Sequence, residues 1–286
     1  MNKIDRGLYQ SLLTESLVQQ LQELDSRLKA RQSDLHVEEA PDRLAMHLAK
    51  VIHTAIASLN KDKRIEVGGE LTQKLIQLLV DSTSTNELLK EKLALPPRML
   101  KAIDGKKPDG TDDQVAEPLI DLLDTTLLTN ANGEPRIGSQ IISEIPSAER
   151  IDVVMAFIRK SGIRPMMDAL RFHCQSGRSL RVLTTTYTGS TEAAALDLLA
   201  GIGAEVKVSY DESNTRLHAK AWLFKRNSGF STAFIGSSNL THSAQVVGLE
   251  WNARFSGSRN PDVVNKVDAV FESYWNSGDF VPYNRE

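Results

Sequence analysis

The chain has 286 residues, 41% of them hydrophobic, and a formal net charge of -3 at pH 7; that suffices for two modest cores and excludes a generally basic nucleic-acid coat, leaving room for a local basic cleft. The single Cys174 cannot close an intrachain disulfide and has no Cys or His at metal spacing, so a zinc site is excluded and a reducing cytoplasm is the expected location. No apolar run has the length of a signal-peptide core or a membrane span, which argues against a membrane-embedded enzyme.

The first hundred residues predict helices. Apolar residues recur at three- and four-residue spacing through Leu8, Leu12, Leu13, Leu17, Leu21 and Leu24, again through Leu44, His47, Leu48, Val51 and Ile52, and again from Leu71 through Leu75, Leu78 and Leu79. His47 and His53 lack a third ligand at matching spacing and read as packing or helix-surface residues. Pro96 and Pro97 break the pattern, and the turn-rich stretch that opens at Asp104 and Gly105 reads as a linker. The expected organisation is a helical domain over 1–103, a linker over 104–117 and a second domain over 118–286.

Beyond the linker, strand and helix signals alternate. Strands are predicted over 151–158, 180–185 and 204–210, with helices over 165–174 and from Ser190 through Leu199. Three further strands follow, around Leu217, Thr232 and Leu249, and a closing helix over 261–275. This α/β alternation predicts a sheet covered by helices.

The chemistry-bearing residues lie on those last three strands. His218 and Lys220 stand two apart in an apolar run, so strand periodicity puts both side chains on one face. Histidine can act as nucleophile or acid near neutral pH and lysine is a compact cation for phosphoryl oxygens, which makes the pair a phosphate site needing no metal. Gly236, Ser237 and Asn239 follow the next apolar run, where glycine admits close backbone approach and Ser and Asn offer neutral donors. Ser237 reads equally as an extra donor or as a turn former. Glu250 adds a carboxylate able to fix a histidine tautomer. Ser161, Thr184 and Thr185 follow or end strands where open α/β sheets place ligands; they read as ligand contacts or as loop and capping hydroxyls. Arg216 reads as a contact to a flanking phosphate or as a solvated side chain. His242 is read as helix surface.

The ordered set of His218-x-Lys220, Gly236-Ser237-x-Asn239 and Glu250 resembles the phospholipase D superfamily, whose signature is His-x-Lys with a downstream Asp and a Gly-Ser-x-Asn element. The family's Asp, five residues after the lysine, falls here on Lys225. The likeness is therefore to a nuclease branch in which a later glutamate takes that place, matching Glu250; a partly degenerate site is the other reading of Lys225. From about residue 128 onward the chain resembles the phospholipase D-like module at the N-terminus of some bacterial superfamily 2 helicase proteins, and metal-independent restriction nucleases of the same superfamily. The resemblance implies a phospholipase D-like mixed sheet flanked by helices, after an all-α N-terminal domain. It further implies a DNA nuclease working through a phosphohistidine, with no metal and no cofactor. In the family two His-x-Lys units face each other, and this chain has one, so a homodimer with a shared active site is expected. His218 is then nucleophile in one subunit and acid in the other, Lys220 and Asn239 bind phosphate, and Glu250 orients His218. A superfamily 2 helicase, in the same or a separate chain, is the expected partner in DNA defence or repair. The alternative is a weakly active or inactive nucleic-acid-binding and dimerisation module.

Overall fold

The computed structural model describes residues 4–106, 109–131, 133–210, 217–244 and 248–284. The chain divides into two compact units, Met1–Lys101 and Ala102–Glu286. The first holds helices α1 (Glu15–Gln22), α2 (Ala40–Ser58) and α3 (Arg64–Thr83) and a 3-10 turn over Asn86–Glu91. Helix α1 is shorter than its leucine spacing predicts: Thr14 accepts a hydrogen bond from the Leu17 amide at 3.2 Å and starts the helix there. The residues before it stay non-helical with Leu8 in solvent, because an apolar period forms a helix only where its stripe finds a surface to pack on.

The second unit opens with a two-residue ladder between β1 (Gly105–Lys106) and β2 (Asp112–Asp113), and then builds one eight-stranded mixed sheet. In chain order its elements are β3 (Thr126–Leu128), α4 (Ile137–Glu144), β4 (Arg150–Met155), α5 (Lys160–Ile163), α6 (Met167–Gln175), β5 (Ser179–Thr185), α7 (Ala193–Gly201), β6 (Glu205–Ser209), β7 (Lys220–Lys225), β8 (Thr232–Gly236), β9 (Asn252–Ser256), α8 (Pro261–Trp275) and β10 (Val281–Pro282). The strand order is β10-β6-β5-β4-β7-β8-β9-β3. β4, β5 and β6 are parallel, because helices carry the chain back between them, and every other pairing is antiparallel. The expected mixed sheet flanked by helices, after a helical N-terminal region, is what forms. Among the elements without a recognised sequence signal are β3, which pairs only three residues with β9, and α4.

Both faces of the sheet are covered, which is why its central strands read as continuous apolar runs rather than alternating ones. On one face Ile137 and Ile141 of α4, Leu170 of α6 and Leu196 and Leu199 of α7 pack on Ile151, Val153, Trp222, Phe224 and Phe234. On the other, Phe271 and Trp275 of α8 pack on Val154 and Leu183, and Val264 on Leu223 and Ala233. Among the described residues, no helix is long and apolar enough to cross a membrane.

Candidate active site

β4, β5, β6 and β8 finish at the edge of the sheet where β7 and β9 begin, as their pairing directions require. Strand β7 starts its ladder at Lys220, paired with Met155, and the Ala156 amide extends the contact by donating to Ala219 O at 3.1 Å. His218 therefore lies just ahead of the ladder. Its ring comes together with the lysine as the two-residue spacing predicts: Lys220 Nζ is 3.1 Å from His218 Nδ1 and donates to the His218 carbonyl oxygen at 2.6 Å. An ammonium donor requires the facing ring nitrogen to present its lone pair. Phe157 stands edge-on to His218 with centroids 5.9 Å apart, and Lys220 Nζ lies 5.9 Å from the same phenyl centroid.

Lys220 is only 6% exposed. Burial holds its ammonium below the ordinary lysine range, and the nearby Glu250 carboxylate opposes part of that effect. A buried cation with incomplete compensation is poised to gain from an anion.

After β8 the chain crosses above the start of β7 and reaches the end of β4. The Leu240 amide donates to Phe157 O at 3.1 Å, the Arg159 amide donates to Leu240 O at 2.9 Å, and Ile158 bridges Leu240 in parallel. This crossing carries Asn239 to the site end, where its Oδ1 is buried without a hydrogen-bond partner among the described residues. It depends on Gly162, because a Cβ there would fall 2.1 Å from the carbonyl carbon of Leu240. Gly236 has the same role beside β9, where a Cβ would come within 2.3 Å of the Trp251 carbonyl oxygen.

Glu250 sits ahead of β9, in a segment that departs from the expected strand around Leu249. The ladder begins only at Asn252, and Leu249 and Trp251 are exposed. The preceding backbone is held instead by Asn130, whose amide nitrogen donates to Ala244 O at 2.9 Å and to Gly248 O at 3.4 Å. Asn130 has φ 54° and also accepts from the Ile137 amide at 2.8 Å, so one buried residue starts α4 and fixes the approach to Glu250. Glu250 accepts a hydrogen bond from Ser237 Oγ, and that oxygen accepts from the Trp251 amide at 3.1 Å. The carboxylate is thus bonded to Ser237 and acts on Lys220, and no direct bond joins it to the imidazole among the described residues.

The remaining candidates separate. Thr184 and Thr185 are fully buried, and their hydroxyls engage Thr191 and the Ser209 carbonyl, so neither is available to a substrate. The sequence marks strand ends, but not that both side chains there turn inward. Ser161 is exposed in α5, His242 is exposed, and Arg216 lies outside the described residues. Phe157, Asn130 and Gly162 went unrecognised; only Phe157, at the end of an apolar strand run, had any local signal.

Lys225 lies at the opposite end of β7, about 16 Å from Lys220 at the usual rise of a strand. There Lys225 Nζ is 2.5 Å from Asp268 Oδ2 of α8. Asp152, Asp268 and Glu272 are close enough to share a cation, yet Arg150, Arg181 and Lys225 already pair with them. The charge reversal at position 225 belongs to this network and does not touch the histidine.

Residues 141–275, from α4 through α8, match the family model described as Cardiolipin synthase, PLD-like domain. Among curated proteins, no sequence matches the chain. Among solved structures the chain is similar to Nuc from Salmonella typhimurium, a phospholipase D family member, with 20% identity over 56% of this chain and 98% of that one and a TM-score of 0.44. It is similar to NucT from Helicobacter pylori at 13% identity, over 56% and 99% of the two chains with a TM-score of 0.41. It is also similar to phosphatidylserine synthase from Haemophilus influenzae at 10% identity, over 56% and 40% of the two chains with a TM-score of 0.40. At these identities and scores the structural likenesses carry no assignment.

Proposed function

We propose that the protein is a phosphodiesterase that cleaves DNA through a covalent phosphohistidine on His218, without a metal. The observation that carries this reading is the meeting of His218 and the buried Lys220 at the carboxyl ends of β4 and β8, with Asn239 delivered above them and Glu250 held by Ser237. The match of residues 141–275 to a phospholipase D-like domain supports the same chemistry.

A ring nitrogen of His218 attacks phosphorus, the P–O bond to the leaving group breaks, and the leaving oxygen takes a proton from a second histidine. Water then attacks phosphorus, the P–N bond breaks, and the second histidine recovers a proton from that water. The Lys220 ammonium and the Asn239 amide stabilise charge that grows on the non-bridging oxygens, which supplies without a metal ion what a metal supplies elsewhere. Glu250 acts through Ser237 and the field it places on Lys220. The chain has one His-x-Lys unit, so the second histidine comes from His218 of a second copy across a two-fold axis, and the dimer is the working unit. The helical residues 1–103 and a superfamily 2 helicase, in defence or repair, complete the proposal as parts that direct the cut.

The test is cleavage of labelled single- and double-stranded DNA in EDTA by wild type beside His218→Ala. Cutting by wild type that falls by about a thousandfold or more in the variant is the expected result. Cutting that requires added metal, or that survives the substitution, sinks the mechanism.

A further inference from the structure

The chain has three tryptophans, and they divide sharply. Trp222 and Trp275 are 4% and 9% exposed, whereas Trp251 is 67% exposed. An indole left in water forgoes the burial that makes the other two stabilising. The backbone of Trp251 is nonetheless fixed: its amide donates to Ser237 Oγ at 3.1 Å and its carbonyl accepts from the Ser237 amide at 3.0 Å. The same serine holds Glu250, so the open ring stands one residue from the site carboxylate. On the other flank Arg159, Lys160 and Arg164 are exposed, and the Arg159 amide is bonded to Leu240, the residue after Asn239. β4 and β9, which carry these flanks, are three strand spacings apart, about 14 Å, with the start of β7 between them.

We propose that this site takes single-stranded nucleic acid, with an unpaired base beside the scissile phosphate stacked on Trp251 and neighbouring phosphates drawn to Arg159, Lys160 and Arg164. This rests on the phosphodiesterase reading and narrows its substrate. A stacking platform needs a free π face, which an unpaired base presents and a base within a duplex shares with its neighbours. A lipid headgroup has none. The basic flank draws the polyanion without demanding any sequence.

Binding is read first, in the full chain carrying His218→Ala. Because Trp222 and Trp275 are buried, a change in tryptophan emission on adding oligothymidylate reports chiefly on Trp251. The expected result is quenching by oligothymidylate, weak quenching by a duplex and none by an abasic oligomer of equal charge. Activity is read second, as the ratio of kcat/KM on the base-bearing oligomer to that on the abasic one. Trp251→Ala should lower that ratio by about 5- to 100-fold, the loss lying in KM, while Trp251→Phe keeps most of it. An unchanged ratio overturns the proposal. So does a shift of Trp251→Ala from dimer to monomer in light scattering, which would assign the indole to self-association. Base-dependent quenching in a protein that cuts no diester would sink the catalytic reading and leave the base subsite standing.

Discussion

The two ends of β7 carry similar side chains in opposite circumstances. At the far end every buried charge is matched. Glu144, 1% exposed, accepts from Arg226 at 2.6 Å and from Arg254 at 2.7 Å, with Thr232 at 2.8 Å completing the carboxylate. Lys225 is paired with Asp268 beside the Arg150, Arg181 and Glu272 group. At the near end Lys220 is almost as buried, but its ammonium reaches a carbonyl and an imidazole, and Asn239 Oδ1 has no hydrogen-bond partner among the described residues. The far end holds the fold together; the near end leaves charge and hydrogen-bonding capacity unspent, as a site for an anionic ligand requires.

Breaking the far end should show in stability. Glu144→Gln leaves two buried guanidinium groups facing a neutral amide, and a cost of about 3–5 kcal/mol is expected, read by denaturant unfolding. A loss below about 1 kcal/mol would mean that the network is not what holds α4 to the sheet. Lys225→Asp, which restores the phospholipase D signature, puts a carboxylate against Asp268 and should cost about 1 kcal/mol, since both partners are partly exposed. Cleavage should stay within about twofold of wild type, because position 225 is a strand's length from His218; a large gain in rate would show that the two ends are coupled.

The smallest effect sharpens the near end. In the proposed mechanism it is protonated Lys220 that binds phosphate, so affinity is expected below its pKa and lost as pH rises through it. That pKa is already pulled down by burial and is held up in part by Glu250. Glu250→Gln removes the supporting charge, and the alkaline loss of oligonucleotide binding, measured in a His218→Ala background where no chemistry intervenes, should move to lower pH. A shift to higher pH would mean that the carboxylate does not act on Lys220.

The pairing of His218 with Lys220 was legible because strand periodicity is local, and α8 was legible from Pro261 at its first turn and its apolar stripe. The leucine spacing overstates helix α1 for the converse reason: periodicity records the capacity for a stripe, and only a packing partner converts it into a helix. Thr184 and Thr185 look like ligand hydroxyls in sequence, yet the structure spends them on Thr191 and Ser209. Lys225 looked like damage to a motif until Asp268 stood beside it, 43 residues along the chain.

The sequence by itself determined the α/β alternation and the residues able to perform phosphoryl chemistry, since both follow from side-chain type and short-range spacing. Only the tertiary structure decided that residues 237–240 cross to β4 over Gly162, that Asn130 bonds Ala244, 114 residues away, on the approach to Glu250, and that Glu250 answers to Ser237. Such contacts are set by which backbones can come close enough to bond, a property of the assembled sheet that no window of residues contains.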